Sequence, residues 1–87
     1  MQMLNFDSGR VLHQIAQIEM GADEIAELRR KASNARDRLR DSWHGDASAA
    51  YLGKLEEFVS LLEANESRLR RDAAVFRTKV SELMAIG

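Results

Sequence analysis

Apolar residues recur along this chain at alternating intervals of three and four, in two series separated by a short polar interval. In the first half, Leu4, Val11, Ile18, Ile25, Ala32 and Leu39 stand seven apart, and a companion line runs through Ile15, Ala22, Arg29, Arg36 and Trp43. Leu12, Ala26, Leu28 and Ala35 widen that stripe. In the second half the seven-residue line is Leu55, Leu62, Leu69, Phe76 and Leu83, and its companions are Leu52, Val59, Glu66, Ala73 and Val80. Side chains at these intervals share one side of a helix, so the pattern predicts two long amphipathic helices with coiled-coil-like seams.

The boundaries follow from caps and breakers. The chain has no proline, and of its five glycines only Gly45 sits among turn-forming residues, in Asp41-Ser42-Trp43-His44-Gly45-Asp46. Gly45 suits the positive-φ conformation that ends a helix or turns the chain. Asp7 or Ser8 is placed to cap the first helix and Asp46 the second. A single domain over residues 1–87 is therefore expected, with helix one over about 8–42, a turn at 43–46 and helix two over about 47–84. So short a connection makes the helices antiparallel. The fold class is all-α, an antiparallel two-helix hairpin of rods roughly 50–55 Å long at 1.5 Å per residue. Gly21 and Gly53 fall inside helices at a cost of roughly 1 kcal/mol each relative to alanine. They either permit a close helix approach or are tolerated defects.

Length then changes the picture. A hairpin of 87 residues gives each helix a single neighbour, and chains this small usually need a staple or a partner. No cysteine is present, which removes disulfides and thiolate metal sites. His13 and His44 lie far apart with no ligand set around either, so no metal is expected. Association with further helices remains, through the seam of Val11, Ile15, Ile18, Ile25, Leu39, Leu52, Leu55, Val59, Leu62, Leu69, Phe76, Val80 and Leu83.

Charge narrows the function classes. Lysine and arginine number 13 against 14 acidic residues, for a net charge of −1. A nucleic-acid binder normally carries a clear basic excess, and so does a peptide that lies on anionic membranes. No apolar run approaches the roughly 20 residues that span a bilayer. The first residues, Met1 to Asp7, lack the basic region and apolar core of a cleavable signal peptide. There is no nucleophile–base set and no glycine-rich loop between a strand and a helix, so neither catalysis nor a cofactor is expected.

Three charged residues interrupt the seams: Arg29, Arg36 and Glu66. One reading puts them at the stripe's edge, with stems packed and charged heads in water. The other has Glu66 pair with an arginine across a subunit interface and select register or partner. Counting from a turn centred near residues 44–45, opposed residue numbers should add to about 89. Glu66 would then face Asp23 and Arg29 would face Ser60, so any pairing of Glu66 would come from another chain. The basic run Arg29-Arg30-Lys31, with Arg36, Arg38 and Arg40, is interspersed with acids and reads as a solvated helix face. Trp43 reads as an apolar cap on the closed end, as a recognition anchor, or as both.

The segment Trp43-His44-Gly45-Asp46-Ala47-Ser48-Ala49-Ala50-Tyr51 has the form Trp-x-Gly-x-Ala-x-x-Ala followed by an aromatic. Between two heptad stripes in a short chain lacking proline and cysteine, it resembles the WXG family of small proteins handled by bacterial type VII secretion systems. The resemblance implies a four-helix bundle, formed as a homodimer or as a heterodimer with a related WXG protein. It also implies export without a cleavable signal, cytoplasmic before export and secreted or cell-surface after it. The implied role is that of substrate, adaptor or secretion partner, with the secretion machinery or a larger secreted effector as further partners. Trp43, Gly45, Ala47 and Tyr51 would shape the closed end. Many exported members carry Tyr-x-x-x-Asp/Glu after the second helix. Here the one tyrosine is Tyr51, with Leu55 four residues on. The signal would then come from a partner or lie beyond Gly87, or this member is not exported by that route.

Overall fold

The computed structural model describes residues 7–42 and 45–86 of the chain. It is an all-α hairpin of two helices, α1 (Ser8–Ser42) and α2 (Asp46–Ile86), packed into a rod with Cα extents of 69 × 14 × 14 Å. Leu4, Trp43 and His44, which figure in the seam and turn expectations, lie outside the described residues.

Local chemistry sets the helix ends. Asp7 caps α1: its Oδ1 accepts the Arg10 amide at 3.0 Å and its carbonyl accepts the Val11 amide at 3.2 Å. Ser8, the alternative cap, is the first helical residue. In the last turn the Ser42 hydroxyl folds back and donates to the Arg38 carbonyl at 2.6 Å, the i−4 bond that serine makes within a helix. Gly45 has φ +115°, and its carbonyl accepts the Ala49 amide at 3.1 Å and the Ser48 hydroxyl at 2.9 Å. Gly45 therefore occupies the cap position of α2 that the sequence suggested for Asp46. Asp46 instead begins the helix, where its carboxylate sits favourably at the positive end of the helix dipole.

The two helices meet mostly along the companion lines of the seam, joined by Ala32 and Leu62 of the seven-residue lines. Ile15, Ala73 and Val80 form one buried cluster, with Val11, Leu12 and Ile18 packed against it. Ala32, Val59 and Leu62 form another, with Ile25 and Leu55 alongside. Ala22, fully buried, lies between the two clusters along α1. Fully burying side chains the size of Ile15, Val59, Leu62 or Val80 stabilises by about 1.5–3 kcal/mol each. The rest of the seven-residue line on α2 fares differently from Leu62. Leu55, Leu69 and Leu83 are only half-buried and Phe76 is 46 % exposed. The contact is centred on the companion line, which turns the Leu55–Leu83 line toward one edge.

The register also differs from expectation. The cross-helix ion pairs Glu19–Arg77, Asp23–Arg70, Arg29–Glu66 and Arg40–Glu56 have residue numbers that add to about 95, not 89. Counting from the middle of the turn assumes that both helices start level at the closed end. The register instead sets Ser42 opposite residue 53, so α2 overshoots α1 there by about seven residues, or about 10 Å at 1.5 Å per residue. At the other end the helices finish together.

A Cβ built on Gly21 or Gly53 meets no heavy atom within 4 Å. Neither glycine therefore serves a close approach inside the hairpin. We expect Gly53→Ala, on the exposed side of α2, to stabilise the fold by about 0.5–1 kcal/mol through backbone entropy. Gly45→Ala should destabilise it by about 1–2 kcal/mol, because a Cβ is strained at positive φ. Urea unfolding followed by circular dichroism measures both, and equal effects of the two changes would contradict this account.

Candidate functional site: two unlike edges of the hairpin

The helix contact leaves two edges, and their chemistry differs. On one edge charged side chains reach across the groove. Arg77 holds Glu19 through two bonds, Nε to Oε2 at 2.8 Å and Nη2 to Oε1 at 2.6 Å. Arg70 Nη2 donates to Asp23 Oδ1 at 3.0 Å, and its Nε donates to Glu66 Oε2 at 3.0 Å. Glu66 Oε1 also accepts Arg29 Nε at 3.4 Å. Nearer the closed end, Arg40 approaches Glu56 at 3.8 Å. These groups make a ladder along one side of the rod.

Glu66 is thus satisfied within its own hairpin by Arg29 and Arg70, contrary to the expectation that its partner would come from another chain. The shifted register causes this, since it places Arg29 opposite Glu66. Arg36, the third charged seam residue, bonds its neighbour Asp37 at 3.3 Å instead. Within the basic run, Arg30 pairs with Glu27, and Arg40 pairs with Asp37 on its own helix and with Glu56 across the contact.

The opposite edge is apolar. The half-buried line of Val11, Ile18, Ile25 and Leu39 on α1 faces Leu55, Leu69, Phe76 and Leu83 on α2. Beyond it, Leu28 on α1 and Phe58 on α2 are 46 % and 41 % exposed. Toward the open end this edge deepens into a groove of about 310 Å³ lined by Val11, Gln14, Ile15, Ile18, Phe76, Lys79, Val80 and Leu83. Every cross-helix ion pair of the described residues lies on the other edge or at the contact's centre. An apolar surface of this continuity is characteristic of an interaction site.

The closed-end motif is only partly described. Gly45, Ala47 and Tyr51 are exposed, and the latter two lie on the overshoot of α2, away from the buried clusters. Periodicity alone shows the apolar edge only as half of a stripe. The signal that locates it is the position of acids and bases flanking the companion line, with Glu19 and Arg40 on α1 matching Arg77 and Glu56 on α2. Among the described residues no group of three or more His, Cys, Asp or Glu could hold a metal ion. No helix among them is long and apolar enough to cross a membrane.

The ladder couples stability to acidity. The hydrogen bond from Arg77 holds the Glu19 carboxyl below the usual glutamate range. Glu66 is lowered chiefly by its hydrogen bond from Arg70, aided by the charges of Arg70 and Arg29. A carboxyl lowered in the folded state contributes stability that is present above its unfolded pKa and lost as pH falls through the folded one. Thermal unfolding should therefore show a falling midpoint as pH drops below the ordinary glutamate pKa. Glu19→Gln combined with Glu66→Gln should flatten that decline; an unchanged slope would show that the ladder does not couple to folding.

Comparison with known proteins adds no relative: no family model, no curated protein and no solved structure matches the chain.

Proposed function

We propose that this chain is a non-enzymatic helical protein that works by helix–helix association, as an adaptor or substrate of a type VII-like secretion system. The observation that carries the association is the apolar edge running the length of the hairpin, opposite an edge already closed by ion pairs. Covering it with helices of another hairpin gives a four-helix bundle, either as a homodimer or as a heterodimer with a related WXG protein. The link to secretion rests on the Trp43-x-Gly45-x-Ala47 pattern between the two helices, together with the heptad stripes on either side of it. On this reading the protein is cytoplasmic before export and reaches the medium or cell surface without a cleaved signal.

A chaperone-like role, in which the hairpin holds the helical region of a larger secreted effector, uses the same apolar edge. The two roles separate in culture. An adaptor or substrate that pairs with itself or a small relative should appear in the medium without a large co-expressed effector. A targeting chaperone should appear there, or disappear from the cytoplasm, only when its effector is present. Immunoblotting of medium and cell fractions checks this, and retention in the cytoplasm under both conditions would remove the secretion assignment. Placing a charge on the apolar edge, as in Phe76→Lys, should reduce export on either reading, whereas Ser67→Lys on the far side should not.

A further inference from the structure

We propose that the closed-end half of the hairpin carries a surface that docks on an anionic lipid bilayer, resting on the headgroups without crossing. This goes beyond helix–helix association and does not depend on it.

Bases and acids nearly balance over the chain, 13 against 14, but a bilayer meets only one side of a rod. Lys31 and Arg38 on α1, and Lys54 and Arg68 on α2, are exposed and make no ion pair within the described residues. Arg38 donates to the Asn34 carbonyl and Arg68 to the Asn65 side chain, and neither acceptor neutralises the charge. All four cations fall on one side. Lys31 and Arg38 follow Leu28 and Ala35 by three residues, while Lys54 and Arg68 stand seven to either side of Leu61. Residues at these intervals share a helix face. The positions on that face hold no acid from Leu28 to Leu39 or from Tyr51 to Arg68. The open-end half differs, because the same lines there carry Glu24, Asp72 and Glu82 beside Arg10 and Lys79.

Inside this basic rim the apolar side chains stand out from the rod. Leu28 and Phe58 are joined there by Leu61 and Tyr51, which are 57 % and 58 % exposed. Leu61 decides between a grooved and a flat contact. It follows the buried Leu62 line by about 100° around the helix, on the crest of α2. A helix laid between α1 and α2 covers the half-buried lines and misses that crest, whereas a plane rests on it. Tyrosine suits the headgroup level, and lysine and arginine lay their stems on apolar surface while their charged ends reach phosphate.

Each cation beside an anionic leaflet strengthens binding about fivefold. The ladder acids Glu19, Asp23 and Glu66 oppose this little, since arginines already hold them on the other edge. The rod is 14 Å across between Cα atoms, more than the screening length of about 8 Å at physiological salt.

Co-pelleting of the full chain with vesicles tests the proposal. The chain should pellet with vesicles of equimolar phosphatidylcholine and phosphatidylglycerol, remain free with phosphatidylcholine alone, and be released by added salt. Lys54→Ala with Arg68→Ala should weaken binding about tenfold or more. Arg30→Ala with Arg71→Ala, which removes the same charge from the outward faces, should leave it nearly unchanged. Circular dichroism of each variant separates lost binding from lost helix. Single thiols in the otherwise cysteine-free chain give the orientation. A polarity-sensitive dye on Leu61→Cys should shift to the blue on the mixed vesicles, while the same dye on Ser67→Cys should not. Failure to pellet with either vesicle overturns the proposal and turns the search for this patch's occupant to acidic proteins. Equal binding to both vesicles, indifference to Lys54 and Arg68, or a shift at Ser67→Cys matching that at Leu61→Cys also overturns it. None of these results bears on the association reading, which is tested by export.

Discussion

Two helices packed side by side touch along one narrow line, while each apolar stripe in this chain is two lines wide. Adjacent lines of a heptad lie roughly 50° apart around the helix, so a single neighbour buries one line well and leaves the other on the shoulder of the contact. Here the buried line passes through Ile15 and Ala22 on α1 and Val59, Ala73 and Val80 on α2. Everything else about the molecule's surface follows from that choice of line. One shoulder receives Val11, Ile18, Leu69 and Phe76; the other receives Glu19, Arg40, Glu56 and Arg77.

The charged shoulder does more than decorate. Exposed ion pairs contribute little individually, but Glu19–Arg77 is bidentate and Asp23, Arg70, Glu66 and Arg29 are connected in sequence across the groove. Such connections are directional in a way that aliphatic packing is not. A slip of α2 by one helical turn would still place leucine against isoleucine, yet it would carry Arg77 away from Glu19 and Arg29 away from Glu66. The hydrophobic line supplies the attraction and the ladder selects the register.

The sequence disclosed the helices, their ends and the antiparallel hairpin, because those depend on local chemistry and on a period of about 3.5 residues. Asp7 and Gly45 are legible as boundary residues for the same reason. The axial offset between the helices was not legible. A heptad pattern fixes the angular phase of each helix but is nearly indifferent to sliding, and counting from the turn gave a register about six residues short. That error made Glu66 look unpartnered. Which seam line is central was equally hidden, since Leu55, Leu62, Leu69, Phe76 and Leu83 form the more hydrophobic series and yet Val59, Ala73 and Val80 lie deeper. The acids and bases at the flank of each helix held the missing information, but only as matched pairs between two helices.

The overshoot of α2 gives the rod a stiffness that varies along its length. Over most of the molecule a backbone hydrogen bond can open only by disturbing two helices and a ladder between them. From Asp46 to about Leu52, about two helical turns, α2 runs past the last described residue of α1 and is sustained by Gly45 at its cap and by the helix-favouring alanines Ala47, Ala49 and Ala50. Amide hydrogens there exchange through local fraying, while those near Ala73 wait for opening of the whole hairpin. The start of α2 is thus held by its own cap and composition, and the rest of the rod by the packing and ion pairs between the two helices.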